Sequence, residues 1–405
     1  MVDQHTFSAE EAAAILGVSR ETLYAYVSRG LIRSQPAGDG TRRHRYAAAD
    51  VEAARQRREQ QRNPAAAIEK ALNWGAPVLE SSIALIENGR LYYRGIDAAS
   101  LALESSLEEV AGLLWTGQLT AEPFENAQLR WSEEIDWQGK LSPAGRFLAA
   151  LPLAATDPAA YDLRPEGVMS SGARIMHLFA MLLSGGQPST GGVAAALQEG
   201  WGLPPAASEL LNAALVLCAD HELNVSTFTA RCIASAEATP YAVVEGGLAA
   251  LQGIRHGGHM ERVEALLREA GKPGEAAGLI AARLRRGDSL PGFGHPLYPN
   301  GDPRAQVLLQ LAVKDCGQSE GARFAVGLSL AVAEAAENLL GLRPNVDFAL
   351  VTLARALNLP PNSALGLFAL GRTAGWIGHA LEQYTAGTLI RPRARYVGQW
   401  PELIS

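Results

Sequence analysis

From Ser106 onward the apolar residues return at helical spacing, and proline and glycine cut that pattern into lengths suited to short, packed helices. Leu107, Val110, Leu113 and Leu114 fall on one face of the first stretch. Further helices are predicted at 143–152, 170–184, 208–219, 238–252, 258–270, 275–286, 303–315, 323–340, 346–357 and 363–383. Leu203-Pro204-Pro205, Gly271-Lys272-Pro273-Gly274 and Leu359-Pro360-Pro361 punctuate them. The chain is 48% apolar but only 6% aromatic, a balance that favours helix. One stretch breaks the rule: residues 83–95 place Asn88-Gly89 between two β-prone runs, the signal of a hairpin with a type I′ turn. No internal repeat is visible, so the body reads as all-α.

The first 63 residues differ in character. Ser8 and Glu11 have the spacing of a capping box, Gly17 breaks the chain, and Ser19 opens a second short helix with the same chemistry. A glycine-rich tip, Gly38-Asp39-Gly40-Thr41, leads into Arg42-Arg43-His44-Arg45-Tyr46, and a third helix is expected from Ala48 to Arg58. The arrangement resembles the winged helix-turn-helix of MerR and excisionase proteins. That likeness implies phosphate contacts from Arg42, Arg43 and Arg45, with Arg20, Thr22 and Tyr24 toward the groove. The same small unit could instead serve assembly. Residues 1–63 hold ten arginines against eight acidic residues, in a chain of net charge −7, so the two parts are expected to meet different partners. Asn63-Pro64 marks the linker.

At 405 residues the chain can hold two or three domains. Cys218, Cys232 and Cys316 are too few for a disulfide framework, and no CxxC is present. The N-terminal residues are acidic and polar where a signal peptide would be apolar. No apolar run reaches membrane-spanning length, so a cytoplasmic protein without membrane contact is expected.

Four motifs could carry chemistry. Gly292-Phe293-Gly294-His295 through Asp302-Pro303-Arg304 is a loop of glycines and prolines that can hold an imidazole and a guanidinium at fixed positions, as an anionic substrate requires. Asp220-His221-Glu222-Leu223-Asn224-Val225-Ser226 ends a helix. His256 is followed by Gly257 and Gly258, which let a ligand approach the backbone. Asp347 stands among apolar neighbours, where desolvation would raise its pKa toward that of a usable base. His256 and His259 lie three apart, but the glycine spacer and lack of a nearby Cys or Asp argue against a metal site.

In order, these motifs resemble those of the citrate synthase family, from about Leu79 to Gly398. Tyr93-Arg94-Gly95, Asn345-Val346-Asp347-Phe348, Phe368-Ala369-Leu370-Gly371-Arg372-Thr373 and Arg391-Pro392-Arg393 complete the set. The resemblance implies a large helical domain (66–258 plus 366–405), a small one (259–365), and condensation of a short acyl-CoA with oxaloacetate. It gives Asp347 the role of base, His256 that of donor to the forming enol, and His295 that of polarising the ketone. His221, Arg304, Arg372 and Arg391 would hold oxaloacetate, Arg391 reaching in from the partner subunit of a homodimer. The acyl-CoA is a co-substrate, acetyl-CoA or propionyl-CoA, and no cofactor is implied. His379, seven after Arg372, shares its face and is expected to pack behind it. The family usually reads Gly-Pro-Leu-His-Gly-Gly-Ala-Asn where Ile254, Arg255, His259 and Met260 stand here. Pro296 and Pro299 occupy a stretch that is often basic. A regulator whose body only senses oxaloacetate or acyl-CoA is the competing reading; it needs the arginines but not the base.

Overall fold

The computed structural model describes residues 6–36, 44–48, 50–51, 54–55, 79–125, 127, 129, 131, 141–185, 191–315 and 319–400. Arg42, Arg43, Cys316, the expected wing tip and most of the helix expected after Ala48 lie outside the described residues. The chain divides into Met1–Glu80 and Ser81–Ser405.

In the first unit β1 (Thr6–Phe7), α1 (Ala9–Leu16), α2 (Arg20–Ser28), β2 (Ser34–Pro36) and β3 (His44–Ala47) come in that order. Ser8 and Glu11 form the reciprocal box, and Gly17 takes φ 60°, the left-handed conformation that ends α1. Ser19 caps α2 through the Thr22 amide, but the expected second box is absent. Thr22 is too short to reach the Ser19 amide, and its hydroxyl lies 3.3 Å from that of Ser19 instead. Strand β3 pairs antiparallel with both β1 and β2. Ala12, Leu16, Leu23, Ile32, Tyr46 and Val51 form the small core.

The second unit opens on an antiparallel meander, β4 (Ala84–Glu87), β5 (Arg90–Tyr93) and β6 (Ile96–Asp97). Asn88 and Gly89 take φ 53° and 73°, both positive as a type I′ turn demands. The helices then run α3 (Ala98–Glu104), α4 (Leu107–Thr116), α5 (Glu122–Glu125), α6 (Pro143–Ala154), α7 (Pro165–Ser184), α8 (Val193–Gly200), α9 (Ala207–Cys218) and α10 (Val225–Ala234). They continue as α11 (Pro240–Leu251), α12 (His259–Ala270), α13 (Ala276–Arg286), α14 (Pro303–Asp315), α15 (Glu320–Leu340), α16 (Val346–Ala356) and α17 (Ser363–Ala386). The architecture is all-α apart from the two small sheets. No helix among the described residues is long and apolar enough to cross a membrane.

Helix α17 is the axis of the unit and packs against α4, α6, α7, α9, α10, α11 and α16. Its glycines allow this closeness. A Cβ on Gly371 would lie 2.4 Å from the Leu215 carbonyl oxygen, and one on Gly375 2.3 Å from that of Ala219. Arg372, Trp376 and His379 are therefore wholly enclosed. Helices α12, α13 and α15 pack on one another, and α12, α14 and α15 pack on α16, which touches α17.

Candidate active site

The His295 loop and the start of α16 are stitched together by backbone. Gly294 N–H donates to the Arg343 carbonyl (2.8 Å), and Asn345 N–H to that of Gly292 (2.9 Å). Gly292 has φ +83°, and a Cβ there would meet Val263 at 2.8 Å, so only glycine fits. Asn345 caps α16 by accepting from the amides of Asp347 (3.1 Å) and Phe348 (3.4 Å). These bonds set Asp347 on the first turn beside the histidine loop. Most of the volume around its carboxyl is protein, though part of its surface is open. Burial pushes its pKa from 3.8 to about 7, against the opposing pull of Arg304.

Asp302 works from below the same turn. Its carboxylate accepts from the Val346 amide (3.0 Å) and takes Arg304 in a two-pronged pair, Nε to Oδ1 at 2.9 Å and Nη2 to Oδ2 at 2.7 Å. Both residues are almost wholly buried.

The three histidines are neutral near pH 7. Burial, then Arg304, lowers His295 to about 4; burial, then Arg372, lowers His256 to about 4; burial, then Arg304, holds His221 well below its ordinary value. The Leu297 amide donates to His295 Nδ1 (3.2 Å), and an amide can only donate, so the ring hydrogen sits on Nε2. The Ser226 hydroxyl donates to Asn224 Oδ1 at 2.8 Å, and His256 Nε2 lies 3.0 Å from Ser226 Oγ, as donor or acceptor according to its tautomer. Gly257 and Gly258 are required there, since a Cβ on either would lie within 3 Å of a carbonyl oxygen of Leu251 or Gln252.

Arg372 donates from Nε to the Cys218 carbonyl (2.7 Å) and lies over the Phe368 ring at 4.8 Å. Its Nη1 and Nη2 are buried and have no hydrogen-bond partner among the described residues. A cationic fork buried in this way calls for an anion. His379, behind it, approaches Asp220 to 3.2 Å and is fully buried. The rings of His221 and His295 stand 5.1 Å apart, edge to face.

Six of the seven expected polar residues, His221, His256, His295, Arg304, Arg372 and Asp347, thus belong to one neighbourhood linked by contacts and mutual charge effects. The seventh, Arg391, lies exposed in the segment after α17. The sequence alone assigns no role to Tyr298, Ser226, Asp302 or Phe368, although all four sit inside the motifs and touch a site residue. Phe368 packs against two, His256 and Arg372. The visible cue is spacing: Asp302 and Arg304 flank a proline that starts α14.

In the N-terminal unit Arg20 forms an ion pair with Glu10, Thr22 is half-buried and Tyr24 is 51% exposed. Arg45 is exposed and donates to the Thr6 hydroxyl at 3.3 Å.

Residues 71–393 match the family model "Citrate synthase, C-terminal domain", and residues 6–59 match a "Helix-turn-helix domain". The chain is 30% identical over 367 residues to citrate synthase 2 of Bacillus subtilis, covering 80% of this chain and 94% of that protein. It is 29% identical over 349 residues to a 2-methylcitrate synthase of Mycobacterium tuberculosis, covering 77% and 86%. The crystal structure of citrate synthase from Thermotoga maritima superposes with a TM-score of 0.64 at 27% identity, over 82% of this chain and 96% of that one. The chain belongs to the citrate synthase family of condensing acyltransferases and carries a helix-turn-helix domain ahead of the synthase body.

Proposed function

We propose that residues 81–405 condense acetyl-CoA with oxaloacetate to give citrate and CoA. Asp347, ionised at neutral pH for a large fraction of the time, takes a proton from the acyl methyl group. The C–H electron pair becomes the enol double bond. When the Ser226 hydroxyl hydrogen turns to His256 Nε2, the ring carries its own hydrogen on Nδ1 and donates it toward the thioester oxygen as charge builds there. The enol carbon then attacks the ketone carbon of oxaloacetate, while His295 donates from Nε2 to the ketone oxygen. Water finally cleaves the thioester and releases CoA.

His221, Arg304 and Arg372 hold the oxoacid carboxylates, joined by Arg391 of a second subunit in a homodimer. The large domain is 66–258 plus 366–405 and the small one 259–365; their closure excludes water from the enol. The observation that carries the reading is Arg372, a buried guanidinium with two unpartnered nitrogens in the same charged neighbourhood as Asp347, whose pKa is near 7. Family membership fits propionyl-CoA and 2-methylcitrate chemistry as well. The test is purified protein with oxaloacetate and either acyl-CoA, with free CoA thiol followed over time. Acetyl-CoA supports the faster release under this reading; release with neither thioester contradicts it.

The helix-turn-helix domain favours an added activity, DNA binding through Arg20, Thr22, Tyr24, Arg42, Arg43 and Arg45. An intact base favours an enzyme that carries this module over a body that only senses its ligands.

A further inference from the structure

One side chain of the histidine loop touches three of the groups assigned to oxaloacetate without having a role of its own. Tyr298 is 2% exposed, and its hydroxyl lies 3.0 Å from His221 Nε2. Its ring stands 5.0 Å from that of His295, and the Arg304 guanidinium lies over it at 5.4 Å. Two backbone bonds, Tyr298 N–H to His295 O and Gly301 N–H to Tyr298 O, both 3.0 Å, fix the turn that carries it. The ring has little freedom to leave His221.

Two arrangements of the hydrogen are possible between a neutral phenol and a neutral imidazole. Burial raises the Tyr298 pKa and lowers that of His221, so both groups are neutral at physiological pH. If Nε2–H donated to the phenol, the buried hydroxyl hydrogen would need another acceptor, and Nε2 is the one the described residues supply. If the phenol donates, its hydrogen and Nε2 are both satisfied, and the imidazole must carry its hydrogen on Nδ1. A histidine beside a dianionic oxoacid is useful only as a donor.

We infer that Tyr298 is a positioning residue that locks His221 in its Nδ1–H tautomer, so that the imidazole donates a hydrogen bond to the bound oxoacid. The inference rests on the oxaloacetate reading above. It makes Tyr298 act through His221, not through Arg304 or through packing. Tyr298→Phe keeps the ring against His295 and Arg304 and removes only the hydroxyl.

The experiment is oxaloacetate binding to the full chain by calorimetry, for wild type, Tyr298→Phe, His221→Gln and the double variant. Tyr298→Phe is expected to weaken binding about five- to twentyfold, the effect of one lost orienting hydrogen bond. In the His221→Gln background the same change should cost nothing further, because its route of action is gone. Equal weakening in both backgrounds, or wild-type affinity in Tyr298→Phe, overturns the inference. A second measurement does not need Tyr298→Phe and reads the tautomer in the wild-type protein. In wild-type protein with nitrogen-labelled histidine, the imidazole signal that disappears in His221→Gln should show hydrogen on Nδ1; hydrogen on Nε2 overturns the inference. Absence of oxaloacetate binding by wild type defeats the underlying reading, and this inference with it. Wild-type binding with no effect of Tyr298 defeats the tyrosine assignment alone.

Discussion

Replacing Asp347 with asparagine should inactivate the protein and, at alkaline pH, stabilise it. The carboxyl is held at about 7 in the fold against a reference value of 3.8. Ionising it in place therefore opposes folding by up to about 4 kcal/mol, less where solvent reaches it. The sign comes from proton counts. Between the two values the folded state keeps the proton and the unfolded state has lost it, so the contribution to stability falls as pH rises, and levels off above about 7. For wild type this amounts to a loss of about 3 kcal/mol between pH 5 and pH 8, which asparagine cannot show. Any pH-independent effect of the substitution, and every other titrating group, cancels when the two proteins are compared at both pH values. Thermal unfolding is the assay. The advantage of Asp347→Asn over wild type should grow between pH 5 and pH 8 by on the order of 5 °C. Turnover should fall by about 10²–10⁴ while oxaloacetate binding survives. A difference in melting temperature that is the same at both pH values would show that the carboxyl is not desolvated in the fold, and would remove the physical reason for calling it the base.

The same geometry sets other outcomes. Arg372→Met should weaken oxaloacetate binding by at least about 10²-fold in calorimetry, with no loss of melting temperature, because the guanidinium is incompletely partnered in the free protein. Retained affinity would detach Arg372 from the site. Asp347→Asn and Arg391→Ala proteins, each nearly inactive, should recover about a quarter of wild-type activity when refolded together, since half the dimers are mixed and each has one intact site. No recovery in proven mixed dimers would place Arg391 in its own chain's site. Changing Arg42, Arg43 and Arg45 to alanine should flatten the salt dependence of DNA binding by about one unit of slope per lost phosphate contact, read from retention at several salt concentrations. If the intact protein retains no genomic fragment at low salt, the assembly role for the N-terminal unit stands.

Helices of the body are legible in the sequence because their apolar residues repeat cleanly and their ends carry strong signals. Gly341 closes α15 at φ 65°, and Asn345 opens α16 as its cap. Short helices escape. Helix α10 begins inside the Asp220–Ser226 motif, where Asn224 is its N-cap, although the stretch reads as the end of α9. Helices α3 and α8 are too short for periodicity to stand out. The site is legible wherever a residue type implies chemistry by itself: imidazoles, guanidiniums and one carboxyl among apolar neighbours. Its supports are not. Ser226 and His256 are thirty residues apart, and Tyr298 reads in the sequence as one more apolar residue of a proline-rich turn. Their roles exist only once α9 and α10 are folded against α17 and the loop is tied to the start of α16.

The condensation itself is tested most directly by its carbon–carbon bond. Wild-type protein, oxaloacetate and acetyl-CoA labelled in the methyl carbon are mixed, and product is identified by mass spectrometry. The expected product is citrate with the label in one methylene, released in equal amount with free CoA, and neither product should form with Asp347→Asn. Tight binding of oxaloacetate without labelled citrate would contradict the proposed condensation and leave a ligand-sensing body on a helix-turn-helix domain.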